Sequence, residues 1–295
     1  MTKPDRLAPG ARVVVIGAGT MGHGIAQVVA ASGFAVTLVD TSRELVDRGL
    51  ERIRSNLQGG IDRGKLTLDV RDATLGRLTG SDNLEAAVRD AALVIEAVPE
   101  RFDLKAALFD RVEAAAPAGA IIATNTSSLS VTDLQQRLAK PGRMLGLHFF
   151  NPVHIMQLIE VVRGRATDDE VVDAGVAFCG ALAREPIVVN DAPGFASSRL
   201  GIALGLEAMR MVEEGVASPA DIDKAMELGY RHPMGPLRLT DLVGLDVRLD
   251  IARYLHEKLG GERFRPPAIL ERLVAQGKLG KKTGHGFYDW DGESA

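Results

Sequence analysis

The sequence predicts an α/β protein in two parts: a doubly wound, largely parallel sheet domain over residues 1–190 and an all-α domain over residues 191–295. Three observations point there. Apolar runs of strand length alternate with segments of helical periodicity through the first part, the pattern that builds parallel sheets from crossover units. A glycine-rich turn joins the first strand to the first helix. Past the turn-rich boundary Asn190-Asp191-Ala192-Pro193-Gly194, only helical periodicity remains.

Taken in order, residues 11–16 are a short apolar run ending in a glycine turn and read as a buried strand. Residues 21–32 read as a helix closed by Gly33, and residues 35–40 as a second strand, which makes one βαβ unit of about 30 residues. Residues 44–58 keep Leu45, Leu50, Ile53 and Leu57 on one side and arginines elsewhere, as a helix should. Residues 93–98, 120–124 and 144–149 follow as buried strands, with residues 101–115 an intervening helix; residues 157–162 and 186–189 close the sheet. In the second part, residues 200–214 form a helix ended by Gly215. Ser218-Pro219-Ala220-Asp221 starts the next, with a hydroxyl N-cap, proline at the first position and an acid in the first turn. That helix stops near Gly229, and residues 236–258 continue the pattern.

The 295 residues suit two domains, and 25% charged with 46% hydrophobic residues is the balance of a soluble globular protein. A formal charge of −4 argues against nucleic acid or an anionic membrane as a partner, though not against a local basic patch. The single cysteine, Cys179, excludes an internal disulfide framework and fits a reducing compartment; set in Val176-Ala177-Phe178-Cys179-Gly180, it reads as a buried packing thiol. Residues 1–6 are polar and carry no signal-peptide core, and no apolar run approaches the roughly 18 residues of a membrane span. A cytoplasmic protein is expected. No residue is assigned to a metal.

Gly17-Ala18-Gly19-Thr20-Met21-Gly22 is a GxGxxG that follows a strand and opens a helix. The pattern is weak alone, but Asp40 ends the second strand at the distance a dinucleotide fingerprint requires. Gly17 would permit the tight turn, Gly19 the approach of the pyrophosphate and Gly22 close packing of helix on strand, with Thr20 and Met21 in the phosphate turn. The helix N-terminus supplies amides and positive potential. This is a Rossmann-like arrangement. Asp40 would accept hydrogen bonds from the adenosine ribose and repel a 2′-phosphate, which favours NAD; Arg43, three residues on, leaves room for NADP.

Residues 124–160 bring together a hydroxyl cluster in Asn125-Thr126-Ser127-Ser128, an imidazole in Leu147-His148-Phe149-Phe150 and a carboxylate in Leu158-Ile159-Glu160-Val161-Val162. An imidazole among apolar side chains and near an acid is a tunable base. A glutamate inside an apolar strand is costly unless something pairs with it. If the chain folds back about His154, His148 and Glu160 face each other and the acid can fix the imidazole. The spacing alone also allows a satisfied core histidine and a carboxylate at the sheet's solvent edge.

Further motifs stand in order with these: Ile95-Glu96-Ala97-Val98-Pro99-Glu100, His148-Phe149-Phe150-Asn151-Pro152, Pro193-Gly194-Phe195, Pro233-Met234-Gly235-Pro236 and Gly280-Lys281-Lys282-Thr283-Gly284-His285-Gly286-Phe287-Tyr288. Together they resemble the L-3-hydroxyacyl-CoA dehydrogenase family, most of all its short-chain 3-hydroxybutyryl-CoA members, over nearly the whole chain. The resemblance implies NAD-dependent, reversible oxidation of an L-3-hydroxyacyl-CoA to the 3-oxoacyl-CoA, a reaction of fatty-acid metabolism. It implies that His148 takes the proton of the 3-hydroxyl, that Glu160 holds His148 and that Ser127 bonds the substrate oxygen. It also implies that Glu100, Lys105, Ser127, Asn151 and Lys282 line the cofactor site. Read by themselves, Glu100 is a helix-start acid, Lys105 a surface lysine, Asn151 a turn residue and Lys282 a solvated lysine beside Lys281.

By the same likeness, the arm at about residues 43–65 carries the CoA moiety of the substrate, with Arg54 and Lys65 named among Arg48, Arg52, Arg54, Arg63 and Lys65. The helical domain would form a homodimer. One departure stands out. Where the family usually has an asparagine that orients substrate, this chain has Ser198, which keeps a donor and an acceptor but loses an amide's reach. A bridging water could restore the length. Two other readings remain: a hydroxy-acid dehydrogenase of the lambda-crystallin/gulonate branch, which has no need of a basic arm, and a non-catalytic dinucleotide-binding protein, against which the intact Ser127, His148 and Glu160 argue.

Overall fold

The computed structural model describes residues 7–290, so the polar start over residues 1–6 lies outside the described residues. The chain divides into two compact units, one ending at Ala192 and the other beginning at Pro193.

The first unit runs β1 (Arg12–Ile16), α1 (Thr20–Ala31), β2 (Ala35–Val39), α2 (Arg43–Asp62), α3 (Leu68–Gly76), β3 (Leu78–Ser81), α4 (Leu84–Val88) and β4 (Leu93–Glu96). It continues with α5 (Phe102–Ala115), β5 (Ile121–Thr124), α6 (Val131–Gln135), β6 (Met144–Phe149), β7 (Leu158–Arg163), α7 (Asp169–Ala181) and β8 (Glu185–Asn190). The strands make one sheet in the order β3-β2-β1-β4-β5-β6-β7-β8. From β3 to β6 every pair is parallel. The order reverses direction between β1 and β4, which opens a crevice at the carboxyl ends of those strands.

Helices cover both faces, and strand periodicity divides the core in two. Val13 and Val15 pack on one side with Ile25, Phe34 and Ile53, while Val14 and Ile16 pack on the other with Val88, Phe109 and Leu134. Each such fully buried aliphatic contributes on the order of 1.5–3 kcal/mol. Strands buried on both faces explain why β1, β4 and β5 read as unbroken apolar runs rather than alternating ones.

Beyond β6 the direction changes. Residues 150–157 form a short turn, with a cis Asn151–Pro152 peptide, and β7 returns antiparallel to β6. β8 then pairs parallel with β7 at the sheet's edge, where Pro186 has no second neighbour to need its missing N–H. Cys179 is buried in α7 against this end of the sheet, and burial pushes its thiol up to about 12.

The sequence reading placed no element at α3, β3, α4, α6 or α7. It also ended α2 too early, at the glycines. The helix runs through Gly59 and Gly60 to Asp62 because Leu66 folds back onto Gly60, where a side chain would meet Leu66 Cδ1 at 2.6 Å.

The second unit holds α8 (Ser197–Glu213), α9 (Pro219–Tyr230), α10 (Pro236–Val243), α11 (Leu245–Leu259) and α12 (Ala268–Ala275) around Ile202, Leu206, Leu237, Leu249, Phe264 and Leu270. The helical pattern expected over residues 236–258 is carried by two helices, α10 and α11. Gly244 sits between them at φ +105°, outside the helical region and reachable by glycine at little cost. Buried Asp241 accepts from the Phe287 and Tyr288 amides and from Trp290 Nε1, which fixes residues 287–290 onto α10. No helix among the described residues is long and apolar enough to cross a membrane.

Candidate functional site

The glycine turn after β1 forms one wall of a cavity of about 810 Å³ lined by Gly17, Gly19, Thr20, Met21 and Asp40, with Val98 and Leu104 opposite. The three glycines differ in what they make room for. Gly17 stands at φ +102°, and a side chain on it would meet the Ala97 carbonyl oxygen at 2.6 Å. A Cβ on Gly22 would collide with the Gly17 carbonyl, so this glycine lets α1 lie on the turn. Gly19 faces open space, the room a phosphate needs to approach the amides at the start of α1. Asp40 is fixed at the rim: Oδ2 accepts from the Ala18 amide at 2.7 Å and Oδ1 from the Thr41 amide at 2.7 Å. Oδ1 also accepts from Thr41 Oγ1 at 3.2 Å, so the acceptor capacity left for a diol lies chiefly on Oδ2.

These residues fit a dinucleotide. Arg43 bonds Asp47 and the Gly80 carbonyl. Asp40→Ala is expected to raise the Kd for NAD by roughly 10- to 100-fold, the size of lost charge-assisted hydrogen bonds at about 1.5–3 kcal/mol. Unchanged affinity in a fluorescence titration would remove Asp40 from the site.

The β6–β7 hairpin sets His148 opposite Glu160 in register. His148 Nδ1 and Glu160 Oε2 are 2.7 Å apart, with His148 6% and Glu160 0% exposed. The acid is therefore within the sheet, not at its solvent edge. The Phe150 ring lies 4.5 Å from the imidazole. Asn125, at the end of β5, accepts the Phe149 amide through Oδ1 at 2.9 Å and ties this hairpin to the hydroxyl cluster. The turn is also braced from the cofactor side, since Gly24 of α1 leaves only enough space for Val153. Asn151 is exposed in the same turn.

Glu100 gathers the hydroxyl cluster. Its Oε1 accepts from Thr126 Oγ1 at 2.6 Å, the Ser127 amide at 2.9 Å and the Ser128 amide at 3.0 Å, with Ser127 Oγ at 3.4 Å. Lys105 is not a surface lysine. It is 1% exposed, bonds Glu96 Oε1 at 2.5 Å and Glu100 Oε2 at 3.2 Å, and is absent from the dinucleotide cavity's lining. Burial raises the Glu96 carboxyl above its ordinary range despite Lys105. Burial pushes the Glu100 carboxyl up as well, but Lys105 and the bonds from Thr126 and the Ser127 amide outweigh it, and the net direction is down. Glu96 was missed as a site residue, although an acid closing the apolar run Leu93-Val94-Ile95 is the signal that singled out Glu160.

The basic arm divides. Lys65 and Arg63 join Arg184, Asn56 and His154 around a cavity of about 550 Å³ with an apolar floor and no carboxylate in its lining. Arg184, which belongs to no motif in the sequence, bonds the Val153 carbonyl and leaves Nε buried without an acceptor. Arg54 lies elsewhere, paired with Glu51 in a shallow depression that also holds Asp62 and Asp72. In the second unit, Ser198 is in the first turn of α8, just after Gly194 and Phe195, both at positive φ. Lys282 holds both oxygens of Asp246 at 2.6 Å, whereas neighbouring Lys281 lies over the Trp290 ring.

Comparison with known proteins agrees along the chain. Residues 12–192 match the family model described as 3-hydroxyacyl-CoA dehydrogenase, NAD binding domain, and residues 194–290 that of 3-hydroxyacyl-CoA dehydrogenase, C-terminal domain. A probable 3-hydroxybutyryl-CoA dehydrogenase of Bacillus subtilis is 41% identical over 280 residues, covering 95% of this chain and 97% of that protein. The crystal structure of (S)-3-hydroxybutyryl-CoA dehydrogenase from Ralstonia eutropha is 39% identical with TM-score 0.91, covering 95% of this chain and 98% of that one. The structure of FadB2 from M. tuberculosis is 40% identical with TM-score 0.91, covering 96% and 99%.

Proposed function

Because the chain belongs to the 3-hydroxyacyl-CoA dehydrogenase family and is an NAD-dependent oxidoreductase, we propose that it interconverts short-chain L-3-hydroxyacyl-CoA and 3-oxoacyl-CoA, with His148 as general base and acid. The observation that carries this reading is the buried 2.7 Å contact between His148 Nδ1 and Glu160 Oε2. A carboxylate opposite Nδ1 selects the tautomer in which Nδ1 bears the hydrogen, so proton exchange with the substrate falls to Nε2. In the oxidative direction Nε2 takes the 3-hydroxyl proton, and Glu160 offsets the imidazolium that results. NAD, held by the Gly17–Gly22 turn and Asp40, supplies the hydride acceptor. In reverse, Nε2 returns the proton to the 3-keto oxygen. Ser127 donates to that oxygen and keeps it near His148, and Ser198 takes the orienting place of the family's asparagine. The apolar setting of His148 keeps its proton for the substrate rather than for water.

The CoA end is assigned to the cavity ringed by Arg63, Lys65 and Arg184, where three cations gather without an acid in a chain of net charge −4. This concentration of positive charge favours a phosphorylated substrate over the free hydroxy acid of the gulonate-type reading. The expected result is acetoacetyl-CoA-dependent oxidation of NADH. In a double Arg63→Glu, Lys65→Glu variant, KM for acetoacetyl-CoA should rise about tenfold or more, the scale of one to two lost charge-assisted contacts. The N-acetylcysteamine thioester, which lacks the phosphates, should be unaffected. No turnover of any 3-oxoacyl-CoA from C4 to C16 would sink the function, and equal effects on both thioesters would sink the CoA assignment alone.

A further inference from the structure

We propose that His154 is a further anion-binding residue of the cavity ringed by Arg63, Lys65 and Arg184, meeting a phosphate of the CoA moiety as an imidazolium. The inference rests on the reading that this cavity seats CoA. The turn over residues 150–157 brings His154 to the cavity's wall, where the residue is exposed. Arg184 holds that turn. Its Nη2 donates to the Val153 carbonyl at 3.4 Å and to the His154 carbonyl at 3.5 Å, and its Nη1 donates to Gln157 Oε1 at 3.2 Å. His154 is therefore placed through its backbone, by a cation of the same cavity. Among the described residues its ring has no hydrogen-bond or ion-pair partner, so both ring nitrogens stay open to a ligand.

The cations beside it are uncommitted too. Along α2, Arg43, Arg48 and Arg54 pair with Asp47, Glu44 and Glu51. Arg63 and Lys65, just past the end of that helix, have no carboxylate partner among the described residues, and the cavity's lining holds no acid. The charged and titratable groups around His154 are Arg63 and Lys65 from the end of α2, His23 from α1 and Arg184 ahead of β8. None of them favours a proton on the ring. Partial burial lowers its pKa, and Arg63, His23 and Arg184 lower it further. A phosphate among these groups reverses the local sign and favours the imidazolium. A ring with a low pKa in the free protein and a raised one in the complex takes up a proton on binding. The added attraction is fully present below the free-protein pKa and is lost as the pH rises through the pKa of the complex.

The test is calorimetric titration with CoA in buffers of different ionisation enthalpy. The parent should take up protons on binding, and its Kd should fall about tenfold from about pH 8 to about pH 6, the scale of one charge-assisted contact. In His154→Gln that fall and the uptake should be gone, leaving the opposite, weakening effect of the phosphate's own protonation near pH 6. His154→Lys carries its cation at both pH values and should stay tight at the upper one. The KM for acetoacetyl-CoA should follow the same pattern, while the N-acetylcysteamine thioester should not respond to residue 154. Proton uptake and a Kd profile in His154→Gln equal to the parent's would overturn the proposal, because the ring would then not meet the phosphate. An equal response of both thioesters would overturn it too, by placing the effect of His154 in the chemistry. An Arg63→Glu, Lys65→Glu variant that binds CoA as the parent does would instead defeat the reading of the cavity beneath it.

Discussion

His148→Gln is expected to bind NAD as the parent does and to lower kcat by roughly 10²- to 10⁴-fold, the range spanned by general acid–base catalysis. Glutamine approximates the imidazole's length and can donate to Glu160, so the buried acid keeps a partner and the hairpin its packing. What it lacks is a ring nitrogen that can take up and return a proton. The pair of measurements is fluorescence titration with NADH and steady-state reduction of acetoacetyl-CoA. Turnover within tenfold of the parent would remove His148 as the base. His154 would then be the first alternative, although it is poorly suited: burial lowers its pKa, and Arg63, His23 and Arg184 disfavour its cation further.

Gly22→Ala should be as damaging by a different route. The added Cβ collides with the Gly17 carbonyl, an atom of the backbone that cannot rotate aside. Gly17 itself follows a strand clamped in register between β2 and β4. Either α1 lifts from the sheet or the turn shifts, at a cost of about 3 kcal/mol and a fall in Tm of roughly 6–12 °C. The NAD Kd should rise at least about tenfold, since the amides that meet the phosphates move with the turn. Gly19→Ala is the control. Its Cβ meets no protein atom, so it should weaken NAD while sparing Tm. A Gly22→Ala protein with parental Tm and affinity would show that the close packing has no such role.

The parts of the fold legible in the sequence are those where burial writes a pattern. Strands β1, β2, β4, β5, β6 and β7 read as apolar runs because sheet neighbours and helices enclose them. β3 did not: Leu78-Thr79-Gly80-Ser81 is a half-exposed edge strand with a glycine kept small for Val46 and Leu50 of α2, and nothing in its own residues says so. The break at Gly244 was invisible for the opposite reason, since apolar spacing continues across it from Leu242 to Leu245. The site divides likewise. The glycine turn and Asp40 are a local motif and could be read directly. The closeness of His148 and Glu160 was conditional on a turn whose direction the residues suggest. The burial of Lys105 could not be read at all, because Phe102-Asp103-Leu104-Lys105 looks like an ordinary helix start until Glu96 arrives from another strand. Arg184 and the cationic cavity depend on three separated segments meeting, which no single stretch records.

The antiparallel return of β7 has a consequence for how the molecule assembles. His148 and Glu160 are 12 residues apart and pair directly, whereas β1 meets β4 through pairs such as Val13 with Leu93. Closing the shorter loop costs about 1.7 kcal/mol less chain entropy, by the logarithmic scaling of loop closure. Every parallel pairing in the sheet waits on a crossover, but the hairpin waits only on residues 150–157. His148 and Glu160 thus meet within the shortest-range strand pairing in the sheet, and their meeting does not depend on the order in which the crossovers are laid down.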